Sequence, residues 1–149
     1  MTDFVYQDMF PLGEDETAYR LIGQDGIETG RFNDQAVTTA APEVLTTLTE
    51  EAFRDVSHLH RTRHLEALQH ILDDPAASQN DRFVALEMLK NAVISAEGDF
   101  PMCQDTGTAI VIGKKGQRVW TGDNDEAAIS RGVFNAYTRN NLRYSQNAP

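Results

Sequence analysis

The sequence predicts an α+β fold, predominantly helical with small β-hairpins, and three observations carry that expectation. Apolar residues between Pro42 and Val93 recur at spacings of three and four, the signature of helices with one apolar stripe. Asp25-Gly26 between short runs with apolar positions signals a tight hairpin, because glycine tolerates the positive φ such a turn needs. After Phe100 the pattern changes abruptly to breakers, small polar groups and a β-branched run.

In chain order, a small N-terminal hairpin is expected first, with Tyr19 to Ile22 leading into the Asp25-Gly26 turn and Ile27 following it. Helix begins near Pro42, where Leu45, Leu48, Ala52, Val56 and Leu59 form a stripe. Leu65, Leu68, Ile71 and Leu72 mark a second helix that stops before Pro75, since proline disfavours helix for the residue preceding it. A third begins around Asp81 with Ser78 or Asn80 as its cap, runs through Phe83, Leu86, Leu89, Lys90 and Val93, and ends at Gly98. The stretch from Phe100 to Gly107 reads as a loop. Thr108 to Ile112 has the composition of a buried strand, Gly113-Lys114-Lys115-Gly116 reads as a turn, and Gln117 to Trp120 as the returning strand of a second hairpin. Asp123, Asn124, Asp125 and Glu126 place caps and acids at the start of a fourth helix, with Ala128, Ile129, Val133, Ala136 and Tyr137 among its apolar positions.

At 149 residues the chain suits one domain, 1–149, able to bury a real core. Hydrophobic residues make up 40% and charged residues 24%, an ordinary globular balance. The net charge of -10 argues against a nucleic-acid partner, which needs a broad basic surface. A few local arginines still suffice to bind a small anion. The single cysteine rules out an internal disulfide and suits a reducing compartment. No run approaches the ~20 apolar residues that span a bilayer, and the first ten residues lack a signal core, so no membrane partner and a cytoplasmic location are expected.

Chemistry concentrates at Cys103-Gln104-Asp105, where a soft thiolate stands beside an amide and a carboxylate. Thiolate suits iron–sulfur clusters, and its neighbours suit carbonyl and proton chemistry. From the residues alone a lone cysteine is more often a small buried hydrophobe, and a nucleophilic cysteine with a histidine base is a third reading. His60 and His64 lie one helical turn apart, but Arg61 and Arg63 between them oppose a cation, and a solvated basic face is expected. Gly113-Lys114-Lys115-Gly116 lacks the spacing of a phosphate loop. Arg143 has the guanidinium chemistry of a carboxylate clamp, although most arginines are simply exposed.

The run from Pro101 to Gln117, PMCQDTGTAIVIGKKGQ, resembles the class I, iron–sulfur-dependent fumarases. So do Phe10-Pro11-Leu12-Gly13, Asn80 to Leu86, and Asn141 to Pro149, in the same order along the whole chain. The resemblance implies a 4Fe-4S cluster held by three cysteines with one iron open to substrate, Cys103 being the first ligand. It implies that Gln104 contacts a substrate carboxylate, that Asp105 lies beside the substrate hydroxyl as an acid–base group, and that Arg143 grips a carboxylate. The activity it implies is the reversible hydration of fumarate to L-malate, a step of the tricarboxylic acid cycle, in a homodimer. An iron–sulfur tartrate dehydratase subunit shares the cluster loop, and a standalone helical interaction module is the non-enzymatic alternative. The polar ending at Pro149 reads as a cut inside the larger catalytic domain, making 1–149 its N-terminal part. With two cysteine ligands missing, the chain alone is expected to be inactive.

Overall fold

The computed structural model describes residues 3–9, 11, 13, 18–104 and 107–144. Among them, strands β1 (Ile27–Phe32) and β2 (Gln35–Ala40) precede helices α1 (Pro42–His58), α2 (Thr62–Asp73) and α3 (Gln79–Ala96). A short strand β3 (Val119–Trp120) and helix α4 (Asp125–Arg139) complete the order. All four helices lie where the apolar spacing puts them, and the α+β class holds.

The helix ends follow local chemistry. Pro42 opens α1, where its missing N–H costs nothing. Ser78, not Asn80, caps α3: its Oγ accepts from the Asp81 amide at 3.1 Å while the Asp81 carboxylate accepts from the Ser78 amide at 3.0 Å. Gly98, at φ +90, turns the chain out of α3. Asn124 caps α4 by accepting from the Ala127 amide at 3.1 Å.

Both predicted hairpins need correction. The N-terminal one forms one step later than expected. Asp25-Gly26 is a turn, with Gly26 at φ +78, but it leads into β1, and Tyr19 to Ile22 form no strand. The hairpin closes at Asn33-Asp34, both at positive φ (46° and 60°), the twist that suits a two-residue connection between antiparallel strands. The second hairpin does not form. Thr108 to Ile112 is not a strand, and Ile110 and Ile112 are each 76% exposed. Val119–Trp120 instead joins the open edge of β2 in parallel, Thr38 opposite Val119 and Thr39 opposite Trp120. The Thr38 amide donates to the Arg118 carbonyl at 2.8 Å, and Trp120 meets Phe32 edge-on at 5.4 Å. That edge satisfies Val119–Trp120 and leaves the β-branched run lying over α1 and α4.

Two helix pairs, α1 with α4 and α2 with α3, make the body. α4 presents Ala128, Gly132 and Ala136, all buried, to α1. Thr46 Oγ1 donates across the contact to the Ala128 carbonyl at 2.9 Å, and Asn135 and Arg139 reach Glu50 at 3.0 and 2.7 Å. α3 likewise buries small residues, Ala85 and Ser95, the latter donating to the His58 carbonyl at 2.9 Å. The larger apolar residues of the expected stripes, Leu48 and Val56 on α1, Leu59 just after it, and Phe83, Leu86 and Val93 on α3, are exposed. Small residues win the contacts because they allow the helix backbones to approach closely.

Where β3 gives way to α4, Lys115 donates to Thr121 Oγ1 at 3.0 Å and to the Asp125 carboxylate, and the buried Thr121 hydroxyl also donates to Asp125. The bond from Lys115, then that from Thr121, holds the Asp125 carboxyl below its ordinary value of 3.8. A carboxyl depressed in the folded state contributes stability above the unfolded pKa, and the contribution disappears as pH falls through the folded one. Lys115→Met is therefore expected to lower the urea midpoint at neutral pH and to lower it less at acid pH, once the folded-state carboxylate takes up its proton. An equal loss at both pH values would contradict this.

Candidate active site

Cys103 sits on the loop between α3 and the β-branched run, and both flanks of that loop are tied down. On the entering side the Met102 amide donates to the Ser57 carbonyl at 2.9 Å, and the Met102 carbonyl accepts from Asn91 Nδ2 at 2.8 Å. Ser57 lies in the last turn of α1, where carbonyls lack a partner within the helix, so the loop supplies one. On the leaving side Gly107 adopts φ +65, and its carbonyl accepts from the Tyr137 hydroxyl of α4 at 3.4 Å, a long and weak bond.

Between these ties Cys103 and Gln104 are exposed. Asp105 and Thr106 lie outside the described residues. The expectation that a lone cysteine would be a small buried hydrophobe is thus corrected: the pinned loop carries the thiol outward. Cys103 lines a groove of about 570 Å³ together with Phe53 and Val56 of α1, Met102, and Ile110 and Val111. Much of the run that was expected to be a buried strand is one wall of this groove.

Arg143 follows the end of α4. Asn140 closes α4, its side chain and backbone N–H both donating to the Ala136 carbonyl at 2.9 and 3.0 Å. Asn141, at φ +55, then turns the chain, Leu142 is buried, and Arg143 is exposed beyond it. Tyr144 stacks on Tyr137 at 5.6 Å, and Tyr137 also tilts against Phe53 at 6.4 Å. One buried tyrosine therefore touches the end of the Cys103 loop, the groove wall and the residue next to Arg143. Sequence reasoning took Tyr137 as an apolar helix position and passed over Asn91. Neither belongs to a motif, and each acts only through tertiary contact.

The His60 and His64 rings are 4.7 Å apart, and burial, then the charge of His64, pushes His60 below its ordinary value. No group of three potential metal ligands gathers among the described residues. Lys115 is engaged with Thr121 and Asp125, and the turn expected at Gly113 to Gly116 falls instead at Gln117-Arg118, closed by the Val119 amide donating to the Gly116 carbonyl at 3.0 Å. His58 is buried. Its Nδ1 carries the proton, since it faces the Arg54 carbonyl at 2.8 Å.

Comparison with known proteins decides the family. The sequence model described as "Fumarate hydratase (Fumerase)" matches residues 46–149, a span that contains the Cys103 loop, α4 and Arg143. The chain belongs to the fumarate hydratase family. It is 53% identical over 145 residues, 97% of its length, to the class I aerobic fumarate hydratase of Salmonella typhimurium. It is 50% identical over 97% of its length to the class I anaerobic fumarate hydratase of Escherichia coli. It is 48% identical over 90% of its length to the mitochondrial fumarate hydratase 1 of Leishmania major. The chain spans about a quarter of the length of these relatives, 25%, 26% and 25% respectively. The fumarate hydratase match covers α4 and all but the first turn of α1. Among the described residues no helix is long and apolar enough to cross a membrane.

Proposed function

We propose that this chain is the N-terminal part of the catalytic domain of an iron–sulfur fumarate hydratase, which reversibly hydrates fumarate to L-malate. The observation that carries the reading is an exposed cysteine on a loop pinned at both flanks, within a chain of this family. The surface supports it as well. Among the described residues, large apolar side chains such as Phe83, Val93, Ile110 and Ile112 are exposed, a surface suited to burial against further polypeptide.

A 4Fe-4S cluster fits Cys103 as one ligand. A thiolate is the soft donor such clusters take, and this one is exposed rather than enclosed. The sequence holds one cysteine, so two further thiolates come from other polypeptide. When bound, the cluster would supply a Lewis-acid iron that polarises the substrate hydroxyl and a carboxylate.

This chain's residues then divide the remaining work. Gln104 donates its amide N–H to one carboxylate. Arg143 grips a carboxylate through two parallel N–H bonds. Transfer of the C3 proton of malate to a base supplied by further polypeptide drives negative charge into that carboxylate, and a guanidinium already in place stabilises it in the transition state. Asp105 gives a proton to the departing hydroxyl oxygen and takes one back in the hydration direction. The ligand is a small dicarboxylate, with no nucleic acid or membrane involved, and the enzyme works as a cytoplasmic homodimer.

The test is an assay of fumarate loss and malate formation with reconstituted iron and sulfide. The longer, cluster-loaded protein carrying this segment is expected to turn over, and the 149-residue chain alone is not. Malate formation by the chain alone, or none by the longer protein, would overturn the reading.

A further inference from the structure

Two bonds fix the peptide that enters Cys103, and they differ in kind. The Ser57 carbonyl is an end-of-helix acceptor that any nearby backbone N–H would satisfy. Asn91 is different. It stands inside α3, although asparagine is among the weaker helix formers, and its side chain is exposed, so burial does not force it to find a protein partner. Its amide nonetheless reaches out of the helix to the Met102 carbonyl at 2.8 Å. With the Met102 amide held at 2.9 Å on the opposite side, both polar groups of the residue before Cys103 are engaged.

We infer that Asn91 is a positioning residue for Cys103, presenting the thiol at a fixed place along the groove beside α1. The inference rests on the reading of Cys103 as a cluster ligand, and it adds the group that aligns that ligand. A thiolate that must meet two others from distant polypeptide binds best when its backbone is already placed, because ordering a loose loop on binding costs conformational entropy. Asn91 supplies that order from a rigid helix. At the other end of the loop the Tyr137 hydroxyl adds only the long, weak bond to the Gly107 carbonyl.

The test uses the sole cysteine of the full chain as its own reporter. The reaction of Cys103 with a disulfide reagent is followed across the titration range of the thiol, alongside thermal unfolding. Asn91→Asp keeps the shape but replaces the donor with a carboxylate facing a carbonyl; Asn91→Ala removes the group. Both are expected to change the labelling rate by about threefold or more, with the melting temperature nearly unchanged, since a local restraint and not the fold is lost. Asn91→Gln, which retains an amide donor, should restore part of the wild-type rate. In the longer, cluster-loaded protein Asn91→Asp should shed its iron–sulfur absorption about tenfold faster, as expected for losing an outer partner of a metal ligand. Unchanged labelling in both Asn91→Asp and Asn91→Ala, or a change that only tracks unfolding, would overturn the inference. If labelling responds but the wild-type longer protein never acquires the absorption, the positioning of Cys103 stands and the cluster reading falls.

Discussion

Gly132→Ala is expected to be the most destabilising single-methyl change in the chain. A Cβ at this position would lie 2.5 Å from the Thr46 carbonyl oxygen, 2.6 Å from Thr49 Cβ and 3.1 Å from the Glu50 nitrogen. Two of those atoms are α1 backbone, so no side chain can swing away to make room. In a free helix the change would stabilise by about 1 kcal/mol, because alanine is the better helix former. Overpacking a close contact costs about 1–3 kcal/mol or more, and backbone obstruction places this case at the upper end. A net loss of about 2 kcal/mol corresponds to a melting temperature lower by roughly 4–8 °C for a domain of this size. Gly30→Ala is the control, since a Cβ there meets nothing within 4 Å. The consequence reaches the site: displacing α4 carries Tyr137 away from Gly107 and moves the turn before Arg143. A Gly132→Ala variant as stable as the parent would show that the α1–α4 crossing is looser than described.

Cys103→Ser should have the largest effect on activity. Serine preserves the size and exposure of the side chain, so the fold is expected to stand. Its hydroxyl is a hard donor that stays protonated near neutral pH, and it replaces a soft thiolate poorly at iron. Losing a Lewis acid worth several kcal/mol lowers kcat by about 10³-fold or more. Iron content and turnover of the longer protein, with and without the substitution, check this. Full iron content with full turnover would remove Cys103 from the chemistry.

The four helices were legible because period, caps and breakers agreed. Pro42, Ser78 and Gly98 mark boundaries through local chemistry that needs no tertiary information. Strands were harder. Asn33-Asp34 carries the hairpin turn without a glycine, whereas the more conspicuous Asp25-Gly26 only redirects the chain. The partner of Val119–Trp120 lies some eighty residues earlier in parallel register, a pairing that no local pattern encodes. Apolar stripes gave the right helices and part of the core: Leu68, Ala128, Ala136 and Tyr137 are buried, whereas Leu48, Val56 and Phe83 are exposed and Gly132 joins the contact unforeseen. At the proposed site, Cys103, Gln104, Asp105 and Arg143 were named through the resemblance of their stretches to a family. Asn91 and Tyr137 were not, because only the fold brings an α3 amide and an α4 phenol onto the same loop.

The central claim is that Cys103 ligates iron while Gln104, Asp105 and Arg143 meet one dicarboxylate. Its most direct test is a crystal structure of the reconstituted, longer protein with malate bound. The expected result is Cys103 Sγ bonded to iron, with Gln104, Asp105 and Arg143 within hydrogen-bond distance of the ligand. A cluster held entirely by other cysteines, with the Cys103 loop turned away from the ligand, would contradict it.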